Sequence, residues 1–290
     1  MLTWQEVIRS AENTLARAGI EDARSNGEYL AMHVLGIWKK PELRERLRQQ
    51  ITIDQAKALD AAISRRLNHE PLQYIIGETE FFGLRLYCSP AALIPRAETE
   101  IVVEEAIKEA LEVQQTKKQI RILDIGTGSG AIILAMASKL PGAECIGIDI
   151  STDALQLAEK NKQRLNCSNV QFHCADFMKT EFDRWDAFDI IISNPPYSPS
   201  QEMDQVAKEV REFEPMQALT DMGDGFSFYR KLASVAPTIL NPNGSIIVET
   251  EYKGAEKVKS IFSESGLQVD HVAKDLLGHD RAVVAHQYQN

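Results

Sequence analysis

The sequence of 290 residues has little that points to metal, disulfide or membrane chemistry. Its four cysteines, Cys88, Cys145, Cys167 and Cys174, form no C-x-x-C pair and read as buried thiols, not metal ligands or disulfides. The six histidines are scattered, without H-E-x-x-H or paired spacing, so no metal site is expected. No apolar run approaches the roughly 20 residues that span a bilayer. The opening residues, Met1 to Glu6, lack the basic start and apolar core of a signal peptide, so a cytoplasmic protein with no membrane partner is expected. Positive charge is also short. A formal net charge of -10 argues against affinity built on neutralising many phosphates, and no direct nucleic-acid partner is expected. Internal repeats and low-complexity segments are absent.

What remains is an ordinary globular composition, 44% hydrophobic and 26% charged, long enough for one large domain and a small one. Ile120 to Ile125 is a short apolar run, followed by Gly126, Gly128 and Gly130 on alternate positions. The apolar period then becomes helical through Ile132, Ile133, Met136 and Leu140. Strand, glycine turn and helix in that order open a βαβ unit. Glycine suits a tight turn whose bare backbone a ligand can approach, and the helix start after it offers free N–H groups. Gly126-Thr127-Gly128-Ser129-Gly130-Ala131 also fits the looser dinucleotide fingerprint. Ala143 to Asp149 reads as the next strand and ends in an acid about 20 residues past the glycines, where a carboxylate accepts ribose hydroxyls. An adenosine-type ligand follows, of a kind this unit alone does not specify.

Residues 1 to about 70 read as four short helices in a small bundle, with apolar periods at Trp4–Leu15, Tyr29–Leu35, Leu43–Leu47 and Ala58–Leu67. Lys39, Lys40, Arg44, Arg46 and Arg48 make it locally basic, as a solvated face or as a contact for a partner carrying negative charge. Residues 71–95, with Tyr74–Gly77 and Glu80–Tyr87 short, aromatic and broken by glycine, predict a β-hairpin linker. A helix through Ile101, Val102 and Ala106 opens residues 96–290, with Glu98 and Glu100 placed to favour its dipole. Further strands are predicted at Val170–Cys174, Phe188–Ser193, Ser245–Glu249, Gln268–His271 and Arg281–His286, the last two an antiparallel pair. Helices fall between them, and Asn241–Gly244 reads as a turn. The pattern is a doubly wound α/β domain.

The strand Phe188–Ser193 runs into Asn194-Pro195-Pro196-Tyr197. Ligands in open α/β sheets bind outside the carboxyl ends of the strands, so this tetrapeptide shares a rim with the glycine turn. Two prolines fix the backbone and remove its donors, so the carbonyls can be held pointing inward. Asn194 adds a side-chain carbonyl and Tyr197 a flat apolar wall. Together, Asn194, Pro195 and Tyr197 form a slot for a planar –NH2 group.

An Asn-Pro-Pro-Tyr segment after such a turn resembles the S-adenosylmethionine-dependent amino-methyltransferases, which act on exocyclic amines of bases or on the glutamine side-chain amide. Glu70–Gly77, Leu93-Ile-Pro-Arg-Ala-Glu-Thr-Glu100, Glu214–Leu219 with Gly223-Asp-Gly225, and Lys274–Arg281 resemble one family in particular, the release-factor glutamine N5-methyltransferases (PrmC/HemK). The resemblance covers nearly the whole chain. It implies a class I methyltransferase fold, with a mostly parallel seven-stranded sheet, and a helical bundle that binds the partner. It implies that Gly126, Thr127, Gly128, Ser129 and Gly130 wrap the methionine part of S-adenosylmethionine, that Asp149 holds the ribose, and that Phe177 packs on the adenine. Asn194 would touch cofactor and substrate, and Asn194, Pro195, Pro196 and Tyr197 would grip the glutamine of a Gly-Gly-Gln motif in a peptide-chain release factor. The chain departs from the family pattern at Ala97, usually proline, and at Glu249-Thr-Glu-Tyr-Lys-Gly254, usually Glu-x-Gly-x-x-Gln. Rival readings are a nucleic-acid amino-methyltransferase, a cofactor-binding module without catalysis, and a nicotinamide dehydrogenase, for which no hydride-transfer constellation is visible.

Overall fold

The computed structural model describes residues 2–182 and 185–287. Met1 and 288–290, which the expected ranges 1–70 and 96–290 include, lie outside the described residues, as do Asp183 and Arg184. The chain forms two compact units, Met1–Glu78 with Ala207–Phe213, and Thr79–Val206 with Glu214–Asn290. Among the described residues no helix is long and apolar enough to cross a membrane.

The first unit contains α1 (Trp4–Arg17), α2 (Ala23–Leu35), α3 (Lys40–Arg46), α4 (Ile53–Leu67) and α5 (Leu72–Ile76). Thr3 with Glu6 and Thr52 with Gln55 form capping boxes that satisfy the free N–H groups opening α1 and α4. Trp4, Ile8, Leu15, Leu30, Leu43 and Leu59 make the core. The strand expected at Tyr74–Gly77 is not there. Pro71 caps α5, Ile75 is buried in the bundle core, and Gly77 ends the helix in the left-handed region at φ 80°. Arg66, only 6% exposed, ties the unit together. Its guanidinium donates to Asn26 Oδ1 (2.7 Å) and to the Glu70 carbonyl (3.0 Å), and meets Glu209 at 2.7 Å.

The second unit begins at a hairpin of β1 (Glu78–Phe81) and β2 (Leu84–Tyr87). Its two-residue turn, Phe82-Gly83, has both φ angles positive (52° and 73°), the combination that matches strand twist. A 3-10 turn, Ala97–Thr99, leads into α6 (Glu100–Gln114). Glu100 opens that helix, and its carboxylate also accepts the Phe82 N–H at 2.8 Å, anchoring the hairpin. The chain continues as β3 (Arg121–Ile125), α7 (Ala131–Lys139), β4 (Glu144–Asp149), α8 (Thr152–Leu165), β5 (Val170–Cys174) and β6 (Phe188–Ser193). It visits the first unit as α9 (Lys208–Phe213), then runs through α10 (Met216–Leu219), α11 (Ser227–Ile239), β7 (Leu240–Glu249), α12 (Ala255–Glu264), β8 (Gln268–Lys274) and β9 (Asp280–His286).

The seven strands lie in the order β5-β4-β3-β6-β7-β9-β8, parallel except where β9 runs against β7 and β8. This is the expected doubly wound sheet. Side chains alternate across it: Ile122, Ile190, Ile247 and Val284 face α6 and α7, while Leu123, Ile191, Ile246 and Val283 face α11 and α12. Asn241–Gly244 lies inside β7, not before it. It forms a bulge, because Phe188 pairs with Leu240 and Ile190 only with Ser245. The order reverses at β3, whose neighbours are β4 and β6. That is the switch point where open sheets leave a crevice at the strands' carboxyl ends.

Candidate active site

All five parallel strands deliver a polar group or a turn to that crevice. Beyond β3, Gly126, Gly128 and Gly130 take φ of 74°, 55° and 81°, values that only glycine adopts without strain. The amides of the turn itself, ahead of the helix start, are already engaged. The N–H groups of Gly126 and Thr127 both donate to the Ile148 carbonyl at 2.9 Å, that of Gly130 to the Thr127 carbonyl at 2.8 Å, and that of Gly128 to Asp149 Oδ2 at 2.8 Å. The turn is stitched to β4, so what it offers a ligand is close approach of backbone.

Thr127 donates to Asp124 Oδ2 at 2.6 Å, and Asp124 Oδ1 has no hydrogen-bond partner. Full burial pushes the Asp124 carboxyl up to about 7. Asp149 ends β4. Its oxygens accept from Gly128 and Ser151 (2.9 Å), and a carboxylate has lone pairs left for two hydroxyls. Burial raises its pKa, opposed by those backbone donors. After β5, Phe177 is 6% exposed and stacks on Phe228 with centroids 6.0 Å apart and planes 25° from parallel.

The hydroxyl of Ser193 at the end of β6 donates to the Ile125 carbonyl (2.8 Å), locking β6 to β3 just before Asn194. Asn194 Nδ2 donates to Thr99 Oγ1 at 3.2 Å. Thr99 in turn donates to Glu249 Oε2 at 2.5 Å, and the Tyr197 hydroxyl to Glu249 Oε1 at 3.2 Å. Glu249 ends β7 and is 2% exposed, and burial pushes its carboxyl up to about 7. Burial and the nearby Glu249 carboxylate raise the Tyr197 phenol, so it stays a donor. A second buried acid, Glu214, meets Arg96 at 2.5 Å and accepts the Ile94 N–H at 3.0 Å.

A cavity of about 620 Å³ lies among these groups. Of the expected site residues, Gly126, Thr127, Gly128, Ser129, Asp149, Phe177, Asn194 and Pro196 line it, whereas Gly130, Pro195 and Tyr197 do not. Gly130 is packed from behind, where a Cβ would lie 3.0–3.3 Å from Leu134, Ala158 and Phe172. Thr99, Arg96, Glu214 and Glu249 were given no role from sequence. Arg96 and Thr99 lie within Leu93–Glu100 and Glu214 opens Glu214–Leu219, two of the segments that carry the resemblance, and Glu249 opens the atypical one. Among the described residues no cluster of His, Cys, Asp or Glu could hold a metal. Cys88, Cys145 and Cys167 are buried. Cys174, on the edge strand β5, is exposed, which corrects the reading of four buried thiols.

The cavity is of the size that takes a cofactor, within the ~300–1,000 Å³ usual for ligand sites. It carries a carboxylate for a diol, an aromatic wall for a flat base, and an amide on the rim opposite. On a doubly wound seven-stranded sheet, these features define an S-adenosylmethionine-dependent methyltransferase of class I. Residues 116–284 match the methyltransferase-domain family, and residues 6–77 match the PrmC N-terminal domain. The release factor glutamine methyltransferase of Geobacter sulfurreducens is 37% identical over 97% of this chain and 95% of its own length. That of Bradyrhizobium diazoefficiens is 38% identical over 96% of this chain and 94% of its own. The chain belongs to the release factor glutamine methyltransferases.

Proposed function

We propose that this protein moves the methyl group of S-adenosylmethionine to the side-chain nitrogen, N5, of the glutamine in the Gly-Gly-Gln motif of a peptide-chain release factor. The observation that carries the reading is Asn194 on the cavity wall, with its Nδ2 turned to Thr99. Its Oδ1 is left to accept an N–H from a carboxamide.

The cofactor supplies an electrophilic methyl carbon on a sulfonium. Gly126 to Ser129 and Asp149 hold it against the crevice, and Phe177 packs on its base. An amide nitrogen is a poor nucleophile because its lone pair is delocalised into the carbonyl. Asn194 Oδ1 accepts one N–H bond from the cavity wall, and the Pro195 carbonyl, which lies behind that wall before substrate enters, is the second acceptor. Together they turn the nitrogen toward the methyl and favour the charge that builds on it. Positioning and fixed dipoles supply most of the acceleration. The nitrogen then loses one of these protons to solvent. Pro196 and Tyr197 keep the segment rigid around the glutamine tip.

The exposed Arg44 and Arg48 on the bundle support a role for residues 1–70 in seating the partner. On this reading, residues 71–95 link the bundle to the catalytic residues 96–290, and the protein works in the cytoplasm, where release factors act. The test is incubation with labelled S-adenosylmethionine and, in separate arms, a release factor and DNA. Label is expected on the release factor alone, and label on DNA would favour the amino-methyltransferase of nucleic-acid bases. Asn194→Ala should abolish turnover with cofactor affinity within a few fold.

A further inference from the structure

With Glu249 ionised, the hydrogen bonds that join Glu249, Thr99, Asn194 and Tyr197 have only one consistent polarity. An ionised carboxylate accepts and never donates. Both hydroxyls that reach Glu249 must therefore spend their hydrogen on it: Thr99 on Oε2 and Tyr197 on Oε1. A hydroxyl has one hydrogen. Thr99, having given its own to Glu249, can only accept from Asn194, and the atom of Asn194 facing it must be the amide nitrogen. The oxygen of Asn194 is then the atom offered to the cavity.

We infer that Glu249 and Thr99 are positioning residues that fix the orientation of the Asn194 amide, so that the cavity presents an acceptor and selects a donating –NH2 over a carbonyl or carboxylate. This rests on the glutamine reading above and adds how a glutamine is told from a glutamate. Without the relay, Asn194 can turn its amide over and face the substrate with donors, a mismatch that leaves a buried polar group unpaired. Glu249 is 150 residues from Thr99 in sequence. It does not itself line the cavity, so its influence passes through Thr99 and Tyr197.

The experiment compares Thr99→Val, Thr99→Ser and Glu249→Gln using a release factor and S-adenosylmethionine. Donor binding is measured separately by calorimetry, and folding by thermal melting. Thr99→Val keeps the volume and removes the hydroxyl. It should lower kcat on the order of 100-fold, with donor affinity within a few fold of the parent. Thr99→Ser restores the hydroxyl and should return kcat to within a few fold. Glu249→Gln leaves one acceptor for two hydroxyls and should fall between them. A Gly-Gly-Glu form of the release factor should inhibit the parent weakly and Thr99→Val more strongly. Full kcat in Thr99→Val, or equal losses in Thr99→Val and Thr99→Ser, overturns the relay. Failure of the parent enzyme to methylate any release factor overturns the glutamine reading instead.

Discussion

A Cβ placed on Gly225 would lie 2.3 Å from the carbonyl oxygen of Tyr197 and 3.4 Å from Pro199 N. Gly225 also sits at φ 82°, where a side chain is strained whatever the space. Its N–H is held by Asp221, which accepts from Gly223, Gly225 and Ser227 together. The glycine thus packs against the backbone at the end of the Asn-Pro-Pro-Tyr segment. Gly225→Ala should destabilise the fold by about 1–3 kcal/mol. It should lower turnover by on the order of 100-fold, because a shift of about 1 Å in a positioning segment has that effect. Urea denaturation and a methyl-transfer assay read the two. A variant with parental kcat would mean that the backbone behind Tyr197 is not held in place by Gly225.

The sheet was legible because its strands are short, largely apolar or β-branched runs between glycine and polar breaks. Val170–Cys174 and Phe188–Ser193 match the expected limits; the second is a near-continuous apolar run buried throughout, whereas the first, at the sheet edge, alternates with the polar Gln171 and His173. Tyr74-Ile75-Ile76 is also a short apolar run, but periodicity cannot separate a strand from one helical turn at that length. Packing on the bundle core decided it, and that information lies outside the segment. The same limit hid α9, a polar stretch that belongs to the first unit through contacts such as that of Glu209 with Arg66. In the site, Asp149 and Asn194 could be found because one ends its strand, about 20 residues past the glycines, and the other follows its strand directly in Asn-Pro-Pro-Tyr. Glu249 with Thr99 and Glu214 with Arg96 could not. These pairs are separated by 150 and 118 residues, and only the sheet order brings β7 and the segment before α6 to the same rim.

The pair Arg96–Glu214 is lopsided. The Glu214 side chain is 1% exposed and that of Arg96 is 32% exposed. Removing the arginine strands a carboxylate in the interior, whereas removing the acid's charge leaves a guanidinium that water can reach. Arg96→Met should therefore cost about 3–5 kcal/mol. Glu214→Gln keeps an acceptor for the Ile94 N–H, and should cost about 1–2 kcal/mol. Chemical denaturation of both variants checks the order. If Glu214→Gln proves the more damaging, the role of Glu214 is to hold Ile94 and its segment, and the ion pair is secondary.

Asp124 gives the stability of the protein a pH dependence with a definite sign. Burial raises its carboxyl from the ordinary 3.8 to about 7, so between those values the folded state keeps a proton that the unfolded chain has lost. Folded protein then binds more protons than unfolded protein, and stability falls as pH rises through this window. Below it both states are protonated and above it both are ionised, so the slope vanishes at each end. Asp124→Asn carries no charge in either state, can still accept from Thr127, and loses the dependence. The stability of the variant relative to the parent should rise from pH 4 to pH 7, with a slope on the order of 1 kcal/mol per pH unit. Glu249 is raised in the same direction but is common to both proteins, so its contribution cancels in the difference. Urea denaturation of the two proteins at four pH values measures the slope. Parallel curves would show that Asp124 is ionised throughout, with its unpartnered oxygen met by a donor.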